Sequence, residues 1–403
     1  MFNFTALPPL SLYVHIPWCV RKCPYCDFNS HPQRGELPEA QYIDALLTDL
    51  EHDLPLVWGR RVISIFIGGG TPSLFSPESI DRLLSGLRAR LALMPNAEIT
   101  LEANPGTVEQ QKFAEFRQAG INRLSIGVQS FDSETLQRLG RIHDGSQAVK
   151  AAESAHLAGF DNFNLDLMFG LPEQSVELAL DDIRQAVQLR PAHISFYQLT
   201  LEPNTLFYAQ PPALPNEDAI WDIQTRCQEQ LFNSGYFQYE VSAYAQNGRK
   251  CRHNINYWQY GDYLGIGAGA HGKITDGPQQ HIVRLWKVKH PKDYLAKLAA
   301  QQHIGEHWQV SRNDAAFEFM MNALRLTDGF STELFFAHTG QPITIVEKQL
   351  NKAAEQSLLV WDSTSVRLTK KGNNFLNNVL ELFVTGNDEH KALPPSSAAY
   401  SDT

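Results

Sequence analysis

Short runs of apolar and β-branched residues alternate with longer stretches of helical periodicity through the first half of the chain. The runs are SLYVHIP at 11–17, ISIFIGGG at 63–70, EITLEANP at 98–105, RLSIGVQS at 123–130, FNLDLMFG at 163–170 and HISFYQLTLEP at 193–203. Runs this short read as strands, and the segments between them read as helices. Strand and helix in strict alternation predict a parallel sheet covered by helices. The even spacing of six such units favours a partial (β/α)6 barrel of the TIM type over an open doubly wound sheet. The strand sequences differ from one another, so the pattern is not a tandem repeat.

Past residue 240 the alternation breaks down. We assign 1–240 to the barrel and 241–311 to a folded extension rich in Gly and aromatic residues, CRHNINYWQYGDYLGIGAGAHG at 251–272. From 312 the helical patterns NDAAFEFMMNALRL and ITIVEKQLNKAAEQSLL are followed by the short strands LVWD and SVRLT and a last helix through 384. Helices with a small hairpin predict a mostly helical, winged-helix-like C-terminal domain over 312–385. Its charges are balanced, which favours a packing role over nucleic-acid contact. The stretch 386–403, small, polar and Pro-containing without apolar periodicity, is expected to be a disordered tail.

Composition narrows the function classes. With 403 residues, 43% hydrophobic and 19% charged, the chain suits a large domain plus a smaller one. A formal charge of -10 argues against a general nucleic-acid partner, which would meet a basic face. No apolar run reaches the roughly 18 residues of a membrane span, and the first residues lack the pattern of a signal peptide. The expectation is a cytoplasmic protein that is not integral to a membrane. Three of the five cysteines fall within eight residues, which points to metal ligation in a reducing compartment rather than disulfides. Cys227 and Cys251 read as ordinary thiols.

The cluster C-x3-C-x2-C, formed by Cys19, Cys23 and Cys26, puts three thiolates on one tight loop. Three thiolates can hold three irons of a [4Fe-4S] cubane and leave the fourth iron open to a small molecule. The alternative is a zinc site, for which His15 or His31 would have to supply the fourth ligand. In a parallel barrel the strand C-terminal ends build the active site. There the chain places GGGTP, Glu102 and Gln129, with Asp166 inside strand five.

CVRKCPYC followed by GGGTP resembles the radical S-adenosylmethionine proteins. HIPWCVRKCPYCDFNSH, FIGGGTPS, EANPG, IGVQSF, NLDLMFGLP and YQLTLEPNT resemble the branch that holds the oxygen-independent coproporphyrinogen III oxidases and the HemW-type haem chaperones. The resemblance runs to about residue 384. It implies that a reduced cluster passes one electron to the sulfonium of S-adenosylmethionine and yields a 5'-deoxyadenosyl radical, reactivity supplied by cluster and cofactor together. It further implies that Gly68, Gly69, Gly70 and Thr71 let the backbone approach the cofactor amino group and that Glu102 meets the ribose or methionyl part. Gln129 and Asp166 would meet the ribose or sulfonium side, and Arg141 the carboxylate. Tyr13 would lie beside the cofactor and Tyr25 near the adenine.

Family members that oxidise coproporphyrinogen carry a further cysteine two positions after the third cluster cysteine. Here that position is Phe28, and the extra N-terminal sequence of the oxidases is missing. In their place stands His253-Asn254-Ile255-Asn256-Tyr257-Trp258, which matches the HNxxYW motif of the haem chaperones. The resemblance implies haem as a ligand, His253 as its axial ligand and His271 as a weaker second choice. It also implies acceptor haem proteins, such as respiratory enzymes at the membrane, as partners. The rival function is propionate decarboxylation by a coproporphyrinogen oxidase.

Overall fold

The computed structural model describes residues 2–384, without the side chains of 107–109, so the expected tail at 386–403 lies outside the described residues. Six parallel strands form its centre: β1 Leu10–Ile16, β2 Arg61–Gly69, β3 Ala92–Ala103, β4 Arg123–Gln129, β5 Phe163–Phe169 and β6 His193–Gln198. They pair in chain order, β1 with β2 through to β5 with β6. This is the predicted partial barrel, each strand at its expected run.

Side-chain alternation along the strands sorts the two faces. Leu10, Leu12, Val14 and Ile16 of β1 turn outward into the core under the helices, as do Leu124, Ile126 and Val128 of β4. Their neighbours Tyr13, Phe66, Glu102, Arg123, Ser125 and Asp166 turn inward and line a cavity. The interior of a filled barrel is packed with branched aliphatics. This one is open, with charged and polar side chains set among apolar ones, the condition for holding a ligand. Outside, amphipathic helices such as Glu39–Asp53 and Val176–Gln188 cover the sheet. The second starts on a Ser175 cap whose hydroxyl accepts from Leu178 N.

The sheet continues past both ends of the barrel. Beyond β6 lie the antiparallel strands Phe237–Glu240 and Ala243–Ala245. Beyond β1 lie Asp262–Ile266, parallel to β1, and then the antiparallel series His271–Asp276, His281–Lys287 and Ile304–Gln309. The twelve strands form one sheet. The irregular stretch after 240 is thus sheet and helix: HNINYW lies on the helix Arg252–Trp258, not in a loop.

A second apolar core joins Phe319, Phe335, Leu350, Val366 and Val379 of the C-terminal part. It contains the small sheet Phe330–Ser331, Leu359–Trp361 and Ser365–Leu368. Two expectations need correction here. The helix expected over ITIVEKQLNKAAEQSLL stops at Glu355, because Ser357 takes φ +58° and Leu359 enters a strand. The last helix is two short ones, Lys370–Asn374 and Leu376–Glu381, broken at Phe375. Among the described residues no helix is long and apolar enough to cross a membrane.

Candidate functional site

The three cluster cysteines lie on the loop that follows β1, half-buried, none of them in a disulfide, and all three line the mouth of the cavity. Two backbone bonds tie this loop to the turn after β2: Gly70 N donates to Ile16 O at 2.8 Å and Thr71 N to Trp18 O at 2.7 Å. The glycines allow the approach. Gly69 takes φ +114°, and a Cβ on Gly70 would lie 2.5 Å from Trp18 O. Thr71 Oγ1 lies 3.5 Å from Cys19 Sγ, Ser30 Oγ 3.8 Å from Cys26 Sγ, and Arg141 Nη1 3.6 Å from Cys23 Sγ. Burial raises the Cys19 thiol and pushes Cys26 up to about 11. The Cys19 and Cys26 thiols are therefore protonated at neutral pH, and metal binding there must release protons.

Among the described residues no three His, Cys, Asp or Glu side chains converge as one metal ion requires. Both ring nitrogens of His15 are engaged, by Tyr13 at 3.1 Å and Asn29 O at 2.9 Å, and His31 contacts Asn29 Oδ1 at 3.3 Å. Three soft thiols spread around an opening fit a cubane, in which each thiolate meets a different iron.

Behind the cysteines a hydrogen-bonded chain runs across the strand ends. Asn104 Nδ2 donates to Thr71 Oγ1 at 2.8 Å, and Arg141 Nη2 donates to Asn104 Oδ1 at 2.8 Å and Gly127 O at 2.9 Å. Arg141 Nη1 lies 3.5 Å from Tyr25 OH, whose ring packs on Phe207. Gln129, held at φ +69°, accepts from Tyr197 OH at 2.7 Å. Asp166 accepts from Ser125 Oγ at 3.2 Å and Asn164 Nδ2 at 2.7 Å. Asn104, Ser125, Asn164 and Tyr197 were not singled out in the sequence. Their signal is the polar alternation of the strands: Ser125, Asn164 and Tyr197 lie on β4, β5 and β6, and Asn104 lies one residue past the end of β3, two after Glu102.

Glu102 accepts from Gly69 N at 3.1 Å, and burial, reinforced by the charge of Asp166, raises its carboxyl to about 8. The unfolded chain therefore gives up this proton first, and stability falls as pH rises from about 4.5 to about 8. Glu102→Gln keeps the acceptor for Gly69 and removes the buried charge. We expect it to raise the melting temperature of the cofactor-free protein at pH 8, to leave it unchanged at pH 4.5, and to weaken S-adenosylmethionine binding roughly tenfold or more. Thermal scans at the two pH values and calorimetric titration check the pair.

His253 sits at the floor, 1% exposed. Ser64 Oγ holds its Nδ1 at 2.9 Å, while Phe66 and Tyr257 flank the ring at 5.1 and 4.9 Å between centroids. Burial, and next the charge of Arg123, lower it to about 3, so the imidazole is neutral, the form that ligates metals. Its Nε2 and the Tyr257 hydroxyl are buried without a hydrogen-bond partner. Buried polar atoms are rarely left so, and two on one floor point to a ligand. Trp258 is covered by Arg325, 4.6 Å above its ring, and Arg325 pairs with Glu240 at 3.0 Å. The strand residue His271 stacks on Trp286 at 6.5 Å, outside the set that lines the cavity.

The cavity measures about 700 Å³ and joins the cysteine loop, the strand ends, His253 and the C-terminal segment around Phe375. That volume lies within the range of small-molecule and cofactor sites.

Residues 13–186 match the Radical SAM superfamily and residues 310–374 the HemN C-terminal domain. Heme chaperone HemW of Escherichia coli (strain K12) is 51% identical over 378 residues, covering 94% of this chain and 99% of that one. Heme chaperone HemW of Haemophilus influenzae is 51% identical over 383 residues, with coverage of 94% and 99%. Among solved structures, coproporphyrinogen III oxidase (HemN) from Escherichia coli, described as a radical SAM enzyme, superimposes with a TM-score of 0.79 at 26% identity. It covers 94% of this chain and 91% of its own.

Proposed function

Because the chain belongs to the HemW family of haem chaperones within the radical SAM superfamily, we propose that it binds haem in the barrel cavity and passes it to acceptor haem proteins in the cytoplasm or at the membrane. Cys19, Cys23 and Cys26 hold a [4Fe-4S] cluster. Tyr13, Tyr25, Gly68 to Thr71, Glu102, Gln129, Arg141 and Asp166 hold S-adenosylmethionine at the open iron. When bound, the pair supplies one-electron chemistry at the cavity mouth. The chain's own residues position it: the Gly69–Gly70 turn brings backbone to the cofactor, and Arg141 holds a cation beside Cys23. We assign residues 1–240 to the barrel, 241–311 to the extension that carries the haem motif and 312–385 to the C-terminal domain.

The observation that carries the haem reading is the buried, neutral His253, its Nε2 unpartnered, among the residues that line a cavity of porphyrin-ligand size. We expect His253→Ala to weaken haem binding about tenfold or more, as loss of an axial ligand should, with the cluster absorbance unchanged. Anaerobic titration of the reconstituted protein with haem, followed in the Soret band, checks it, and unaltered affinity removes His253 as the ligand.

The structural likeness to coproporphyrinogen oxidase supports a second reading, propionate decarboxylation. Against it, Phe28 stands at the cavity rim, 40% exposed, where the oxidases carry a thiol. Turnover of coproporphyrinogen by reconstituted protein with reductant and S-adenosylmethionine would favour that second reading.

A further inference from the structure

Two buried arginines, Arg123 and Arg325, and the half-buried Arg141 line the cavity, and two of the three are matched. Arg141 is held by Asn104 and Gly127 O, and Arg325 by Glu240. The third, Arg123, is the first residue of β4 and is 1% exposed on the cavity wall. Its Nε, like that of Arg141, has no hydrogen-bond partner, but Arg123 differs in that charges reach it only through space.

The acids around Arg123 are committed elsewhere. Glu98 Oε1 accepts from Cys251 Sγ at 3.4 Å, Arg252 N at 3.0 Å and His253 N at 3.3 Å, and so serves the start of the helix that carries His253. Asp166 accepts from Ser125 and Asn164, and Asn164 Oδ1 is taken by His193 at 2.7 Å and Ser195 N at 2.9 Å. Glu98 and Asp166 act on Arg123 through space. A buried guanidinium without a direct counter-charge is costly, whereas a carboxylate in its fork would be bound by charge-assisted hydrogen bonds.

We infer that Arg123 is the carboxylate-binding residue of the cavity floor and takes a propionate side chain of the porphyrin whose iron meets His253. The inference rests on the haem reading above. It explains why a barrel strand starts on a buried arginine. It would direct a propionate edge of the macrocycle into the barrel toward β4, where Glu98 Oε1 is taken by the start of the His253 helix.

The test compares haem with haem dimethyl ester, which keeps the macrocycle and the iron but lacks both carboxylate charges. Each is titrated into the cluster-reconstituted wild type, Arg123→Met and Arg123→Lys. The wild type should bind haem about tenfold tighter than the diester, the scale of one desolvated charge-assisted contact. Arg123→Met should bind the two within about twofold, and Arg123→Lys should restore part of the preference. Equal binding of haem and diester by the wild type overturns the role of Arg123 and needs no variant to fold. A preference kept in Arg123→Met overturns it as well. If neither porphyrin binds the wild type, the haem reading itself fails and this inference falls with it.

Discussion

Cys23→Ser will lose its iron and sulfide to below about a tenth of the wild-type content after anaerobic reconstitution, because a three-thiolate cubane has no spare protein ligand. The Cys23 thiol lies 3.6 Å from Arg141 Nη1 on a loop that is half open to solvent. Serine fits the same space and can keep a bond to that guanidinium, but it is a hard, weakly acidic donor. The fold should not notice: the melting temperature of the cofactor-free protein should change by no more than the equivalent of about 0.5 kcal/mol, as at an ordinary surface position. Metal and sulfide analysis beside thermal scans of both proteins checks the two halves. Full cluster content in Cys23→Ser would overturn the assignment of the third iron ligand.

Asp49→Ala is expected to have the largest effect on the fold, a loss of roughly 3–5 kcal/mol, because it removes one of the two carboxylates that hold the buried Lys287 ammonium, Asp53 at 2.8 Å being the other, and leaves three further buried donors without their acceptor. Asp49 and Lys287 are both 0% exposed and pair at 2.6 Å. Asp49 also accepts from His303 Nε2 at 2.9 Å, Tyr294 OH at 2.8 Å and Gly267 N at 2.9 Å. One carboxylate on the first helix thus clasps four partners from the extension. Burial alone would raise Asp49, but Lys287 and then His303 hold it below its usual range. Its contribution is therefore present above the unfolded carboxylate pKa of about 3.9 and is lost as pH falls through the lower folded value. Denaturant titration at pH 7 measures the loss. A change under about 1 kcal/mol would mean that Asp53 alone suffices to neutralise Lys287 and that the remaining donors find other acceptors.

The chemistry of the mouth was legible in the sequence because its ligands are local. Cys19, Cys23 and Cys26 lie within one loop, and Gly69 and Gly70 announce close approaches that the structure places against the His15 ring and the Trp18 backbone respectively. The floor was legible only through the likeness of HNINYW to the haem-chaperone motif. His253 reads as one histidine among aromatics, and nothing near it in sequence tells that Ser64 fixes its Nδ1 or that Phe66 flanks it. Arg123 reads as a charged residue at a strand start, normally an exposed place. The strands of the folded extension are not legible in its sequence because those such as Asp262–Ile266 are short and buried throughout, without the polar alternation that marks a half-exposed strand.

By itself the sequence determined the six βα units, through hydrophobic periodicity, and the cluster loop, through cysteine spacing. Both are short-range properties, set by residues a few positions apart. The tertiary structure decided which polar residues share one cavity and which buried charges stay matched. It brings Arg123, His253 and Glu98 onto one floor although 155 positions separate Glu98 from His253. It also leaves particular donors unsatisfied there. Such vacancies arise only when distant strands and a helix close over them, because the cost of an unpaired polar group depends on the water that packing removes.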